Sequence, residues 1–209
     1  MGNLFIAALT DIYGDFELAV EKLHDILRIK GKVVPVTSED VTLCARLKNG
    51  KIIRGESKIP KAVSKMESPI EEVFLEPSGV QPLNSAVEAI MNADMIVLGP
   101  GSLYSSIIPN LLVGGISDAI RSAGGMKVIV CNVMTQAGET DDYTVVDYVD
   151  AIEKYLGSGV AEYILINDHI CQPEELNAYI CRGTRQMCAG SGEREILAQR
   201  GITVIESNL

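Results

Sequence analysis

The stretch from Ala93 to Leu112, ADMIVLGPGSLYSSIIPNLL, decides how this chain is read. Met95 to Leu98 is a short apolar run of the kind that makes a buried strand. It stops at Gly99-Pro100-Gly101-Ser102, and a helical pattern starts near Ser105. A strand that ends in a glycine-rich turn and opens into a helix leaves backbone N–H groups unpaired at the strand's carboxyl end. That arrangement holds phosphate. In an open parallel sheet the same edge is where ligands bind. Glycine and proline also serve plain turn chemistry in any α/β protein, so the loop alone does not establish a ligand.

Outward from this loop the chain alternates. Upstream, Asn84 to Asn92 reads as a helix with an Asn or Ser cap. Downstream, Ser105 to Leu112 is a short helix that Pro109 kinks or breaks, and Ile116 to Ala123 is another, ended by Gly124-Gly125. Lys127 to Cys131 is a strand, Thr144 to Leu156 an amphipathic helix, and Glu162 to Ile166 a strand. Pro173 to Cys181 and Glu193 to Arg200 read as helices, and Ile202 to Ile205 as a last strand. Repeated strand–helix–strand order predicts an α/β fold: three-layer and Rossmann-like, a mainly parallel sheet with helices on both faces.

The first third has a different texture. Asn3 to Ile12 is an apolar helix, Gly14 breaks it, and Asp15 caps a second helix to about Ile29. Lys32 to Thr37 is expected as a strand. Val41 to Leu47 and Lys51 to Glu56 flank Asn49-Gly50, a two-residue hairpin signal. Pro60 to Ser68 reads as a polar loop and Pro69 to Leu75 as a strand. Residues 37–82 therefore form a small β-rich insert within a single domain of residues 1–209.

A second polar cluster follows the strand Lys127 to Cys131: Asn132, Thr135, Gln136, Glu139, Thr140 and Asp141. If the two strands are neighbours, this cluster and the glycine loop face each other across one crevice. Amides and hydroxyls bond a sugar or base there, and Glu139 or Asp141 offers a carboxylate to a divalent cation. The plainer reading makes Thr140 and Asp141 caps of the following helix. Ser102 stands in G-P-G-S-L, neither the G-x-S-x-G elbow of hydrolases nor a P-loop with its lysine, so it reads as a phosphate donor rather than a nucleophile. Tyr104 either meets a ligand ring or packs on the sheet.

Composition bounds the function classes. Of 209 residues 47% are hydrophobic and 22% charged, as in a globular domain with a full core. A formal net charge of -10 and the lack of a Lys/Arg cluster argue against nucleic acid as a partner. No run of about eighteen apolar residues marks a membrane span, and no basic-then-apolar leader marks export, so a reducing cytoplasm is expected. Five cysteines at irregular spacing fit no zinc pattern, and Cys44 and Cys131 read as core thiols.

The quoted stretch, together with CNVMTQAGETDDYTV, GNLFIAALTDIYGDFELAV and VTSEDVTLCARLKNGKIIRGES, resembles the YvcK/CofD-like family. That family includes bacterial gluconeogenesis factors that bind UDP-sugars and the 2-phospho-L-lactate transferases of deazaflavin cofactor synthesis. The resemblance, closer to the gluconeogenesis-factor branch, implies a ligand crevice built by Gly99, Gly101, Ser102 and Tyr104 with Asn132, Thr135, Gln136, Glu139 and Thr140. It sets Gly2 and Asn3 at a helix start near the crevice. It also matches Tyr179 in PEELNAYI to a tyrosine used near a nucleotide sugar, although Tyr179 serves equally as a helix-face packing residue.

The family's first glycine-rich phosphate loop, an acidic-glycine motif and a proline-glycine-aspartate segment are not in these 209 residues, and an arginine of its C-terminal segment falls beyond Leu209. The chain is therefore expected to be a partial copy of the fold. The implied function is a UDP-sugar-binding regulator of the UDP-N-acetylglucosamine type, needed for carbon-source-dependent cell shape and cell-wall synthesis. It would act on a nucleotide sugar or other phosphate-bearing small molecule, with a homo-oligomer possible. The alternative is a transferase like the 2-phospho-L-lactate enzyme, acting on a deazaflavin precursor with a divalent cation such as magnesium. A third reading is a scaffold that binds nothing.

Overall fold

A computed structural model describes residues 2–27, 30–170, 172 and 183–208. The helix expected over 173–181, and Tyr179 within it, lie outside the described residues. Helix α1 (Gly2–Tyr13) packs on helix α2 (Phe16–Leu27). Asp15 caps α2 as expected, its Oδ1 accepting from the Leu18 N–H at 2.7 Å.

Residues 32–37 are not a strand. Val34 and Val36 pack partly against the core, and the Leu83 N–H donates to Val36 O at 2.8 Å. Their apolar pattern reports burial, and among the described residues no strand pairs with them. Strands β1 (Thr42–Leu47), β2 (Ile52–Arg54) and β3 (Ile70–Glu76) form an antiparallel sheet in the order β2-β1-β3. The hairpin between β1 and β2 has a three-residue loop rather than two. The Leu47 N–H donates to Lys51 O, and Gly50 takes the left-handed conformation at φ 81°.

The expected loop over 60–68 is instead helix α3 (Ile59–Met66). Pro60 sits in its first turn, where a missing N–H costs nothing. Ile59 and Val63, one helical step apart, are buried beneath a polar face. The polar residues that looked like a loop are that solvated face.

Helix α4 (Asn84–Met91) follows, but neither Asn84 nor Ser85 caps it. Leu83 holds the N-cap position without a side-chain bond, and the Ser85 hydroxyl donates to Glu17 on α2. Strands β4 (Met95–Leu98), β5 (Met126–Val130), β6 (Tyr163–Asn167) and β7 (Thr203–Ser207) make a parallel sheet in sequence order. Helices α5 (Ile108–Leu111), α6 (Ile116–Ser122), α7 (Val145–Leu156) and α8 (Ser191–Gln199) connect the strands. The fold is thus the expected α/β class: a parallel sheet flanked by helices, plus a small antiparallel sheet.

One face of the parallel sheet is sealed. Leu98, Ile129, Ile164 and Ile166 are buried there in one cluster with Ile108, Ile116, Ile152 and Leu197. The small sheet joins the same core and is tied to α7 where the Val73 N–H donates to the Tyr155 hydroxyl at 2.8 Å. On the other face Met95, Val97 and Ile205 are exposed.

Candidate functional site

The carboxyl ends of β4 and β5 lie side by side, because the two strands are paired in parallel from Met95↔Met126 to Leu98↔Ile129. The chain leaves β4 through Gly99, whose φ is 96°. A Cβ there would stand 2.7 Å from Val130 O, so glycine is required both by conformation and by space. Beyond it, the Gly101 N–H donates to Asn132 Oδ1 at 3.1 Å, and Asn132 Nδ2 donates back to Gly101 O at 2.7 Å. Asn132 therefore clamps the glycine loop to the end of β5.

Leu103 to Ile107 form a π-helical turn that runs into α5. The Ile108 N–H reaches back five residues to Leu103 O. Pro109, in the first turn of α5, has no N–H to continue the regular ladder, so the wide turn precedes it. Proline here starts a helical segment rather than ending one.

Glu139 ties the second loop to this turn. It is 4% exposed. Its Oε2 accepts from the Tyr104 N–H at 3.0 Å, and its Oε1 accepts from the Ser105 hydroxyl at 2.7 Å and from Gln136 Nε2 at 3.3 Å. A buried carboxylate is tolerable here because three donors satisfy it. Asp141 Oδ2 accepts from the Gly138 N–H at 2.8 Å, and Thr140 Oγ1 accepts from the Gln136 N–H at 2.8 Å. Both close the 136–141 turn, and neither caps α7. The cap is Thr144, in a reciprocal capping box with Asp147.

These assignments sort the donors of the loop. The N–H groups of Gly101 and Tyr104 are engaged by side chains. Those of Ser102 and Leu103 donate to none of the described residues, and the Ser102 hydroxyl makes no capping bond. Ser102 opens onto a cavity of about 530 Å³, lined also by Pro100, Gly101, Asn132, Met134, Gln136 and Leu165. Among the described residues no charged side chain lines it. Ser102, Asn132 and Gln136 thus face one crevice at the sheet's carboxyl edge, as the placement of the two loops predicts.

Other expected site residues lie elsewhere. Tyr104 is buried, its hydroxyl 2.7 Å from that of Tyr143 and the two rings edge-to-face at 6.3 Å. Burial, with the Tyr143 hydroxyl adding to it, pushes the Tyr104 phenol well above its ordinary value. Of its two readings, the structure places Tyr104 as a packing residue beside the crevice. Thr135 is buried and docks a ribbon from further along the chain: its N–H donates to Arg185 O at 2.8 Å, and its Oγ1 accepts from the Arg185 N–H at 2.9 Å. Gly2 and Asn3 begin α1, which packs on α2.

The pair Glu139 and Asp141 does not fit a magnesium site. Both are committed to protein donors, and both line a separate cavity of about 390 Å³ beneath α3. Among the described residues no group of three or more His, Cys, Asp or Glu side chains is placed to hold a metal. Cys131, buried at the end of β5, has its thiol pushed up to about 12 by burial, so it carries no thiolate at neutral pH.

Sequence reasoning missed Leu165, Tyr143 and the Arg185 ribbon. Leu165 is inferable from register, since it pairs with Val130. The ribbon joins residues 50 apart and has no local signature.

The family model described as 2-phospho-L-lactate transferase CofD matches residues 1–209. A putative gluconeogenesis factor of Thermoanaerobacterium thermosulfurigenes is 46% identical over 208 residues, covering 100% of this chain and 63% of its own length. The gluconeogenesis factor of Bacillus subtilis is 39% identical over 209 residues, covering 100% and 64%. The crystal structure of a upf0052 family member from Bacillus halodurans superposes with a TM-score of 0.91 at 38% identity, covering 99% of this chain and 65% of that one. The chain spans less than two thirds of the length of each of these relatives. Among the described residues no single helix is long and apolar enough to cross a membrane.

Proposed function

Because this chain belongs to the CofD family, we propose that its crevice binds a nucleotide sugar of the UDP-N-acetylglucosamine type through its phosphates. The role is regulatory rather than catalytic, in the cytoplasm, in carbon-source-dependent cell shape and cell-wall synthesis. Relatives named gluconeogenesis factor support this branch. The observation that carries the reading is the donor arrangement. Ser102 lines the cavity with its N–H uncommitted to any described residue, its hydroxyl makes no capping bond, and the neighbouring Gly101 N–H is already held by Asn132. An anion there meets preorganised dipoles and, among the described residues, no opposing carboxylate.

Calorimetric titration with UDP-N-acetylglucosamine tests it. A charge-assisted bond from the Ser102 hydroxyl contributes about 1.5 to 3 kcal/mol, so Ser102→Ala weakens binding about tenfold or more. Affinity is expected to be weak, since the further anion contacts expected of the complete fold are not in these 209 residues. Heat from the wild type that Ser102→Ala leaves unchanged would place the ligand elsewhere.

The family model's own description favours a second reading, transfer of a phospholactyl group to a deazaflavin precursor. Glu139 and Asp141 do not supply a metal site for it. Turnover of a deazaflavin precursor by this chain, abolished by Ser102→Ala, would establish that reading in place of the first.

A further inference from the structure

The Tyr148 hydroxyl, on α7, is sealed inside the molecule and meets no hydrogen-bond partner among the described residues. Burial, with Cys131 adding to it, pushes the phenol up, so the group stays protonated and is a donor without an acceptor. An unpaired buried hydroxyl costs stability that a ring without the hydroxyl would not lose. Further chain packed on the outer surface would not relieve it, because Tyr148 is already 0% exposed.

The hydroxyl lies beneath the glycine loop. A Cβ on Gly99 would stand 3.7 Å from it and 2.7 Å from Val130 O. That carbonyl also lacks a donor. Along β5 the even-numbered residues bond toward β4, as the Met126 N–H does to Asp94 O, and the odd-numbered ones toward β6, as the Cys131 N–H does to Leu165 O. The Val130 carbonyl therefore faces the place of the Pro100 nitrogen, which carries no hydrogen. Two residues beyond Val130, Asn132 holds Gly101 by a reciprocal pair of bonds, and Gly101 leads directly into Ser102. A pull on Ser102 thus reaches the end of β5 through the backbone and this clamp.

We propose that Tyr148 is a positioning residue for the crevice: when a phosphate engages Ser102, the end of β5 shifts with the glycine loop and the Tyr148 hydroxyl donates to the Val130 carbonyl. This rests on the phosphate-binding reading of the crevice. The donor is orphaned in the free chain and paired in the bound one, so the bond favours the bound arrangement alone. Part of the affinity then comes from a group that no ligand atom touches.

Urea unfolding, and titration with UDP-N-acetylglucosamine and with pyrophosphate, test this on the 209-residue chain and its Tyr148→Phe and Ser102→Ala variants. Without ligand, Tyr148→Phe is expected to unfold at a higher urea midpoint with unchanged slope. Its affinity for either anion is expected to fall about tenfold. The two changes have opposite signs, which a purely structural role for the hydroxyl does not produce. A midpoint at or below that of the wild type overturns the proposal, since the hydroxyl would then be paired in the free chain. So does wild-type affinity in Tyr148→Phe, and if Ser102→Ala still weakens binding, the phosphate reading stands without it. A wild type that binds neither anion, or whose heat Ser102→Ala leaves unchanged, defeats that reading and this inference with it.

Discussion

Replacing Glu139 by alanine should unlock the two loops from each other. The carboxylate accepts from the Tyr104 N–H at 3.0 Å and the Ser105 hydroxyl at 2.7 Å, with a longer contact from Gln136 at 3.3 Å. Each of the first two is a charge-assisted bond contributing about 1.5 to 3 kcal/mol, and the third counts for less at its length. The Tyr104 N–H also stays buried without an acceptor, since Tyr104 is 5% exposed. We expect Glu139→Ala to lose about 3 to 5 kcal/mol, a large part of a stability that is typically about 5 to 15. Glu139→Gln keeps one acceptor oxygen, and the Ser105 hydroxyl can rotate to accept from the new amide. It should lose only about 1 to 2 kcal/mol. Urea unfolding of the three proteins measures both, and exchange of the Tyr104 amide should quicken in the alanine variant. A loss below about 1 kcal/mol for Glu139→Ala would refute the role given to this carboxylate, as would equal losses for both variants.

Gly138→Ala should be strongly destabilising, by about 2 kcal/mol or more, because φ is 80° and a Cβ would stand 2.3 Å from Pro60 O. Urea unfolding checks it, and a loss under about 0.5 kcal/mol would mean the loop does not press on α3. Thr144→Ala removes the cap of α7 and should cost about 0.5 to 2 kcal/mol, read as a lower urea midpoint at unchanged slope. For Cys131, burial raises the folded thiol from 9.0 to about 12, so the unfolded chain ionises first as pH rises. Its contribution is intact below pH 9 and declines through to about 12, by about 4 kcal/mol in all. Cys131→Val should flatten the stability–pH curve in that window alone, and curves of equal slope would contradict the assignment.

The parts of the fold legible in the sequence are those where one local signal had one structural outcome. Met95 to Leu98 followed by glycine gave a strand and a turn that opens onto a cavity, although only Leu98 of that strand is buried, and Asp15 gave a cap. Lys32 to Thr37 misled because an apolar run is also what partial burial leaves, as at Val34 and Val36, whereas a strand needs a neighbour to pair with. Pro60 to Ser68 misled in the opposite direction. Its apolar positions, Ile59 and Val63, begin before the proline, so the segment taken alone looked polar. Within the site, the residue types were legible but their partners were not. Nothing local to Glu139 reveals that its carboxylate is spent on Tyr104 and Ser105, 35 and 34 residues away. Thr140 and Asp141 were plausible caps until Thr144 was seen to hold that place.

The strand order has a consequence for how the chain is made. Each parallel strand pairs with the strand that precedes it in sequence, Met126 on Met95, Tyr163 on Val128 and Thr203 on Tyr163. Each addition closes a loop of similar length, so no strand waits for a partner synthesised much later. A chain emerging from the ribosome can therefore build this sheet one strand at a time from β4 onward, with the glycine turn and its asparagine clamp set by the second step. Truncations ending after Asn167 should already hold that turn, while those ending before Met126 should leave β4 without its first neighbour.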